Sequence, residues 1–156
     1  IPGVEITHVP IEVFPELTLY ARKMGAKIVV AHGESSVEPV LPGTNAAAIG
    51  AGVDILAHPG FIREDVAAFA AEKGVFLEIT SRIGHSETNQ HVFDTAVKAQ
   101  AGMVLNTDTH MPKDIISPEK RIEVLKNLTT SDEIIENIVK NSLTLLNKIC
   151  KNNVIS

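Results

Sequence analysis

Apolar and polar positions along the chain follow two alternating periods. Short runs rich in Val, Ile and Leu, typical of strands, are separated by segments whose apolar residues recur every three or four positions, as in helices. The pattern predicts five strands, at 3–9, 27–32, 53–58, 75–80 and 103–108. It predicts helices between them at 12–24, 46–51, 63–73 and about 90–100. This alternation indicates parallel β/α units, in either an open doubly wound sheet or part of a closed barrel.

Details of the helix ends can also be predicted. Thr44 or Asn45 is expected to cap the helix at 46–51. Two further helices close the chain, and Thr130 and Glu133 have capping-box spacing at the start of the second. A broad apolar face follows, formed by Ile134, Ile135, Ile138, Val139, Leu145, Leu146, Ile149 and Cys150. The Asn- and Lys-rich tail, 147–153, is expected to fray.

Carboxylate and imidazole side chains recur where the predicted strands end. His32 and His58 close the second and third strands, and Asp108 and His110 follow the fifth. The carboxyl ends of parallel strands meet at one rim, so these groups should lie close together, and Glu5 of the first strand can join them. Asp108 and His110 are two residues apart, so an extended backbone would point both to one side. Such a buried cluster requires a compensating cation.

The ligand types indicate which cation. Imidazoles with carboxylates suit Zn, Mn or Fe, and the absence of Cys ligands disfavours a purely structural zinc site. The alternative for a single histidine after an apolar strand is a hydrogen-bonded structural role. For Asp108 and His110 the alternative is a polar turn that caps the next helix. Placement of such residues after three different strands favours the metal site.

Other polar residues have weaker signals. Arg82 and His85 lie in the polar loop after the fourth strand, where they are candidates for binding a substrate phosphate, with a solvated loop as the alternative. Glu78, an acid inside an apolar strand, is a candidate partner for a ligand histidine. Glu34 is expected to be an exposed loop acid. His8 has the opposite strand parity to Glu5 and is expected to be structural or to support a ligand.

Composition narrows the function classes. The chain of 156 residues is 44% hydrophobic and 21% charged, which is typical of one globular domain. A net charge of -5 and 4% aromatic residues argue against a nucleic-acid binder. The single cysteine, Cys150, fits a reducing compartment such as the cytoplasm. No apolar run is long enough to predict a membrane span.

Four segments together resemble the later motifs of PHP-domain (polymerase and histidinol phosphatase) metallophosphoesterases. They are GVEITHVP, VVAHGES, DILAHPG and NTDTH, in that order, and the likeness extends to about Pro112. The resemblance implies a distorted TIM-like (β/α)7 barrel that binds up to three divalent metal ions. It implies that Glu5, His32 and His58 share one ion, that Glu5 and Asp108 bind a second, and that His110 binds the third.

The resemblance also implies a function. The chain is expected to hydrolyse a small phosphomonoester through a metal-activated water, without a protein nucleophile. An exonuclease or phosphodiesterase and a non-catalytic metal-binding domain remain as alternatives. The H-x-H motif that opens the family is missing, so residues 1–156 are expected to be the C-terminal two-thirds of a larger domain, with five of seven strands. An exposed barrel edge should then favour self-association or association with the N-terminal segment.

Overall fold

In the part of the chain that the structure describes, five strands alternate with α-helices and two helices follow the last strand, as the sequence predicts. The computed structural model describes the backbone of residues 2–151 and the side chains up to Asn147; Ile149, Cys150 and most of the predicted fraying tail lie outside those side chains. The strands are β1 Gly3–Ile6, β2 Ile28–His32, β3 Ile55–Ala57, β4 Phe76–Thr80 and β5 Met103–Asn106. The α-helices are α1 Phe14–Lys23, α2 Thr44–Gly50, α3 Glu64–Lys73, α4 Asn89–Ala99, α5 Pro118–Lys126 and α6 Asp132–Lys151.

All five strands belong to one parallel sheet whose spatial order, β1-β2-β3-β4-β5, is the order of the chain. A doubly wound sheet would reverse its strand order part-way, so that alternative is wrong. The register pairs Glu5 with Val30 and His32 with Ala57. Consecutive parallel strands place their carboxyl ends along one rim, as the sequence indicates. Closure of the sheet into a barrel stays a prediction.

Strands β2 to β5 are largely buried on both faces, which explains why they are almost continuously apolar. One face packs against the helices through Val29, Ala31, Leu56, Leu77, Ile79, Met103 and Leu105. On the opposite face, Leu145 of α6 packs against Ile55 and Val104. The side chain of Asn141, also in α6, donates a hydrogen bond to the backbone carbonyl of Met103 (2.9 Å). The C-terminal helix therefore anchors the end of the sheet formed by β5.

Two predicted helix caps are wrong. The N-cap of α2 is Gly43, at φ +95°, and Thr44 and Asn45 already belong to the helix. The α6 helix begins at Asp132, and Ser131, one residue after the predicted Thr130, accepts a hydrogen bond from the backbone N–H of Ile134 (3.4 Å). Helix ends shift easily by one or two residues, and at α2 the backbone N–H groups of Gly43 and Asn45 donate to Glu34 instead of to a capping side chain.

The β1 strand lies at the edge of the sheet, and its outer side opens into an apolar groove of about 520 Å³. The groove lies between β1 and α1, and its lining includes the exposed side chains of Val4, Tyr20 and Met24. An unpaired strand edge beside exposed apolar side chains is where a further strand can add. The predicted self-association or association with an N-terminal segment remains a prediction for this edge. No helix in the described residues is long and apolar enough to cross a membrane.

Candidate metal centre

The carboxyl ends of β1, β2 and β3 bring three predicted ligands together. Glu5, His32 and His58 each offer one ligand atom, and these atoms all lie within 4.8 Å of one another. The Nδ1 atom of His32 lies 3.6 Å from Oε1 of Glu5 and 2.9 Å from Nε2 of His58. Both imidazoles are buried, whereas the Glu5 side chain is 41% exposed. The group is thus a pocket of two fixed imidazoles with a carboxylate at its open side.

Hydrogen bonds outside the cluster fix the tautomers of the two imidazoles. Nε2 of His32 lies 3.0 Å from the backbone carbonyl oxygen of Glu38, an acceptor, so this nitrogen carries a proton. Nδ1 of His58 lies 3.1 Å from Oε2 of Glu78 and donates to it. The remaining nitrogens, Nδ1 of His32 and Nε2 of His58, therefore turn lone pairs toward each other. Two facing lone pairs at 2.9 Å require a cation between them, either a proton or a metal ion.

The electrostatics of the cluster agree with this geometry. The pKa of Glu5 lies below its ordinary value, chiefly because the imidazole of His32 lies 3.6 Å from its carboxylate. Burial is the largest influence on the pKa of His32 and lowers it. The nearby Glu5 carboxylate and the hydrogen bond to the Glu38 carbonyl, with the charges of both acids, outweigh burial, so the pKa of His32 is raised. Both shifts favour positive charge next to the Glu5 carboxylate, which a bound metal ion would also supply.

Two glycines let the loops after β2 and β3 lie close enough for the histidines to meet. A Cβ atom on Gly33 would lie 2.6 Å from the carbonyl oxygen of Ala57 and 2.7 Å from Cα of Pro59. Gly60 has φ +63°, and a Cβ there would overlap the carbonyl oxygen of Glu34. Gly33 comes directly after His32, and Gly60 comes two residues after His58. A side chain at either glycine would therefore separate the loops and move a ligand histidine.

The other two predicted ligands lie in a separate network. Asp108 has φ +45°, so the predicted extended backbone between it and His110 is wrong. The two side chains are nevertheless neighbours, with Oδ1 of Asp108 3.5 Å from Nδ1 of His110. Arg82 lies against both, 3.3 Å from Oδ2 of Asp108 and 2.8 Å from Nδ1 of His110. It also lies 3.4 Å from Oδ2 of Asp114, an acid that the sequence pattern did not single out.

His85 packs against the two imidazoles of the triad. Its ring centroid is 4.2 Å from that of His58 and 5.9 Å from that of His32. Nδ1 of His85 is hydrogen-bonded to the buried hydroxyl of Ser35 (2.6 Å), and Nε2 lies 4.0 Å from Oε2 of Glu38. Burial is the main reason that the pKa of His85 lies below its ordinary value. The structure thus brings His85 to the site, and binding of phosphate by His85 stays a prediction.

Several supporting residues follow or depart from the sequence analysis. Glu78 contacts His58 as predicted, and it also accepts hydrogen bonds from the His58 backbone N–H (2.9 Å) and the Asn106 amide (2.9 Å). Glu34 is not an exposed loop acid, because its carboxylate accepts hydrogen bonds from the backbone N–H groups of Gly43 and Asn45 at the start of α2. Nothing in the hydrophobic pattern indicated that α2 would need this partner.

Three residues at the rim have left-handed backbone, which the alternation of side chains along a strand does not predict. His8, His58 and Asp108 have φ of +53°, +30° and +45°, and they follow β1, β3 and β5. The parity argument for His8 is wrong because β1 has already ended at Ile6. The centroid of the His8 ring lies 5.6 Å from that of the His32 ring. Left-handed backbone in non-glycine residues is costly and concentrates at functional sites.

The chain has a curated relative of similar sequence. An uncharacterized protein of Methanocaldococcus jannaschii is 45% identical over 135 residues, which cover 85% of this chain and 62% of that protein. The chain thus spans less than two thirds of the length of this relative. No protein-family model matches the chain, and membership in the PHP family stays a prediction.

Solved structures share the fold. A chain of archaeal ribonuclease P, solved with mature tRNA, superposes with a TM-score of 0.76 at 18% identity and covers 98% of this chain and 71% of its own. An amidohydrolase superposes with a TM-score of 0.70 at 15% identity, and the match covers 94% of this chain and 42% of the amidohydrolase. The ochratoxinase of A. niger superposes with a TM-score of 0.64 at 18% identity, and the match covers 87% of this chain and 36% of the ochratoxinase. At these identities the likeness establishes the β/α arrangement and carries no information about substrates.

Replacing Glu78 with Gln is expected to weaken metal binding by about 10- to 100-fold with little change in fold. The amide keeps the shape of the buried side chain but loses its negative charge. That charge favours a proton on Nδ1 of His58, so that Nε2 keeps its lone pair for a metal ion. Isothermal titration calorimetry with Zn²⁺ measures the change. Glu64→Gln, which removes an exposed acid paired with Lys98, is the control and should bind as the unchanged protein does. Equal affinity of Glu78→Gln and the unchanged protein would contradict the assigned tautomer.

Proposed function

We propose that the protein is a metal-dependent hydrolase whose metal ion is held by Glu5, His32 and His58. The observation that carries this proposal is the pair of lone pairs that face each other across 2.9 Å, beside a carboxylate. Three protein ligands of this kind leave coordination positions for water and substrate, which is typical of catalytic rather than structural sites. A divalent ion bound there would lower the pKa of a water molecule and withdraw charge from the substrate.

The residues of the chain have distinct roles in this proposal. Glu78 and the Glu38 carbonyl hold the two imidazoles in the tautomers that bind metal. Burial of His32 and His58 excludes water from the back of the site, so the exposed side of Glu5 marks the direction from which substrate enters. The absence of a protein nucleophile remains part of the proposal, since a water molecule is the attacking group.

The substrate class that we propose is a small phosphomonoester. The support is the sequence resemblance to metallophosphoesterases, together with Arg82 and His85 at the same rim as the metal triad. Arg82 as a phosphate ligand stays a prediction, because its guanidinium donates to acidic side chains in this structure. The net charge of -5 favours a small substrate over a nucleic-acid strand.

The proposal is tested by metal analysis and turnover together. Protein stripped with a chelator and reloaded with Mn²⁺, Zn²⁺ or Fe²⁺ is assayed with p-nitrophenyl phosphate, with histidinol phosphate and with single-stranded DNA. Metal-dependent release of phosphate from a small ester is expected. Degradation of the DNA alone would assign a phosphodiesterase, and tight metal binding without any turnover would assign a non-catalytic metal-binding domain.

Metal affinity is expected to rise with pH through the raised pKa of His32. The metal must displace the proton that His32 holds, so binding releases a proton below this pKa and none well above it. In the metal-free protein the same raised pKa stabilises the fold below the unfolded pKa of histidine, and that stabilisation is lost as pH rises through the folded pKa. Calorimetric titrations between about pH 6 and pH 8.5, in buffers of different ionisation enthalpy, measure both affinity and proton release. A metal affinity that stays constant over this pH range would show that metal binding does not compete with protonation of His32.

A further inference from the structure

Arg82 lies at the centre of a polar network that includes both ligand candidates beyond β5. Its Nε atom is 3.3 Å from Oδ2 of Asp108, and its Nη1 atom is 2.8 Å from Nδ1 of His110. Nη1 also donates to the backbone carbonyl of Asp108 (2.9 Å) and lies 3.4 Å from Oδ2 of Asp114. One guanidinium thus lies against a carboxylate oxygen of Asp108 and against Nδ1 of His110, and that nitrogen also lies 2.9 Å from the backbone carbonyl oxygen of Asp108.

The network is fixed from several sides. Oδ2 of Asp114 accepts hydrogen bonds from the backbone N–H groups of His110 (3.0 Å) and Met111 (2.9 Å). These bonds hold the loop after β5 against Arg82, and the two hydrogen bonds are the main reason that the pKa of Asp114 lies below its ordinary value. The Arg82 side chain is 30% exposed and that of Asp108 only 17%. The ion pair between them is therefore partly withdrawn from solvent, where it is screened less than a surface pair.

A guanidinium and a metal ion are mutually exclusive partners for these atoms. Arginine carries a permanent positive charge and has donors but no lone pair, so it cannot coordinate a cation and repels one. Nη1 of Arg82 also lies 2.8 Å from Nδ1 of His110, so a metal ion at this nitrogen would lie beside the positive charge of the guanidinium. Among the described residues, by contrast, no Arg or Lys forms a hydrogen bond or ion pair with Glu5, His32 or His58.

We propose that Arg82 is the resident counter-cation of Asp108 and thereby excludes a divalent ion from the pair formed by Asp108 and His110. The Glu5, His32 and His58 triad then remains a metal site while the neighbouring pair does not, although both contain ligand types that metals prefer. The inference rests on the proposed metal-dependent function only in that it compares the pair with the triad. The exclusion itself depends on Arg82, Asp108 and His110.

The test counts metal ions per chain. The full-length protein and its variants are stripped with a chelator and equilibrated with Mn²⁺ by dialysis, and bound manganese is measured by mass spectrometry. Arg82→Met keeps the aliphatic length and removes the charge, and it is expected to bind one more equivalent than the unchanged protein. Adding Asp108→Asn to Arg82→Met is expected to remove that additional equivalent. Arg63→Met removes an exposed arginine paired with Asp65 and should leave the count unchanged.

Other variants decide the remaining outcomes. Asp108→Asn alone is expected to bind as many ions as the unchanged protein, because the pair holds no ion while Arg82 is present; this variant keeps the test valid if Arg82→Met misfolds. Loss of one equivalent in Asp108→Asn, or no gain in a folded Arg82→Met, overturns the proposal. A further variant, His58→Ala, tests the metal triad independently of the proposed exclusion by Arg82. If His58→Ala loses no ion, the proposed triad fails, while a gain in Arg82→Met still supports exclusion by Arg82.

Discussion

Replacing Glu5 with Gln is expected to weaken metal binding by at least about 100-fold and to reduce hydrolysis to near background, since even changes in groups that only support a ligand cost about 10- to 100-fold. Glu5 supplies the only carboxylate of the triad, and its side chain is 41% exposed, so the amide should fit without disturbing the core. Calorimetry with Zn²⁺ and turnover of p-nitrophenyl phosphate measure the two effects. The circular dichroism spectrum should not change.

The matched control for this variant is Glu136→Gln. Glu136 is an exposed acid on α6, so the same chemical change is made away from the rim. We expect unchanged affinity and turnover for the control. Activity of Glu5→Gln at the level of the unchanged protein would refute the metal-dependent mechanism, and lost activity with intact metal binding would assign Glu5 a role other than that of a ligand.

Replacing Gly60 with Ala is expected to destabilise the protein by about 2–5 kcal/mol, because two costs add. Gly60 has φ +63°, and left-handed backbone costs an alanine about 1–2 kcal/mol. Its Cβ would in addition overlap the carbonyl oxygen of Glu34, so the loops after β2 and β3 would have to separate, at a further cost of about 1–3 kcal/mol. Urea denaturation of the metal-free protein measures the change in the free energy of unfolding.

Gly52→Ala separates the two costs. Gly52 has φ +75°, but a Cβ there has no atom within 4 Å, so only the backbone cost of about 1–2 kcal/mol applies. We expect Gly52→Ala to bind metal normally. Gly60→Ala, to the extent that it folds, should bind metal more weakly because His58 and the loop after β2 are displaced. Equal destabilisation of the two variants would show that the close contact between the loops carries no energy.

Much of the fold could be predicted because it depends on local periodicity. Each predicted strand and helix is present, with bounds that differ by a few residues, and the parallel pairing follows from the alternation. Strands proved shorter than predicted at their carboxyl ends, where β1 stops at Ile6 and β5 at Asn106. There the chain leaves the sheet through residues with left-handed backbone, such as Asp108 (φ +45°). The hydrophobic pattern gives no sign of this change in backbone conformation.

The site could be predicted only in part. That Glu5, His32 and His58 share one rim follows from their places in successive strands, and the structure brings them together. The role of Glu78 was visible as an acid inside an apolar strand. The carbonyl of Glu38 and the hydroxyl of Ser35 had no comparable signal, because any loop offers carbonyls and hydroxyls. Only their positions in space show that they bind His32 and His85.

The sequence by itself thus determined the elements and the edge of the sheet at which the polar residues gather, since both follow from spacing along the chain. Tertiary structure decided which of those residues meet. His32 and His58 are separated by 26 residues and come within 2.9 Å because glycines let two loops touch. Arg82 reaches Asp108 across the same separation in sequence and divides the five predicted ligands into a triad and an ion-paired set. Such contacts depend on loop paths and side-chain reach, which no local pattern of residues specifies.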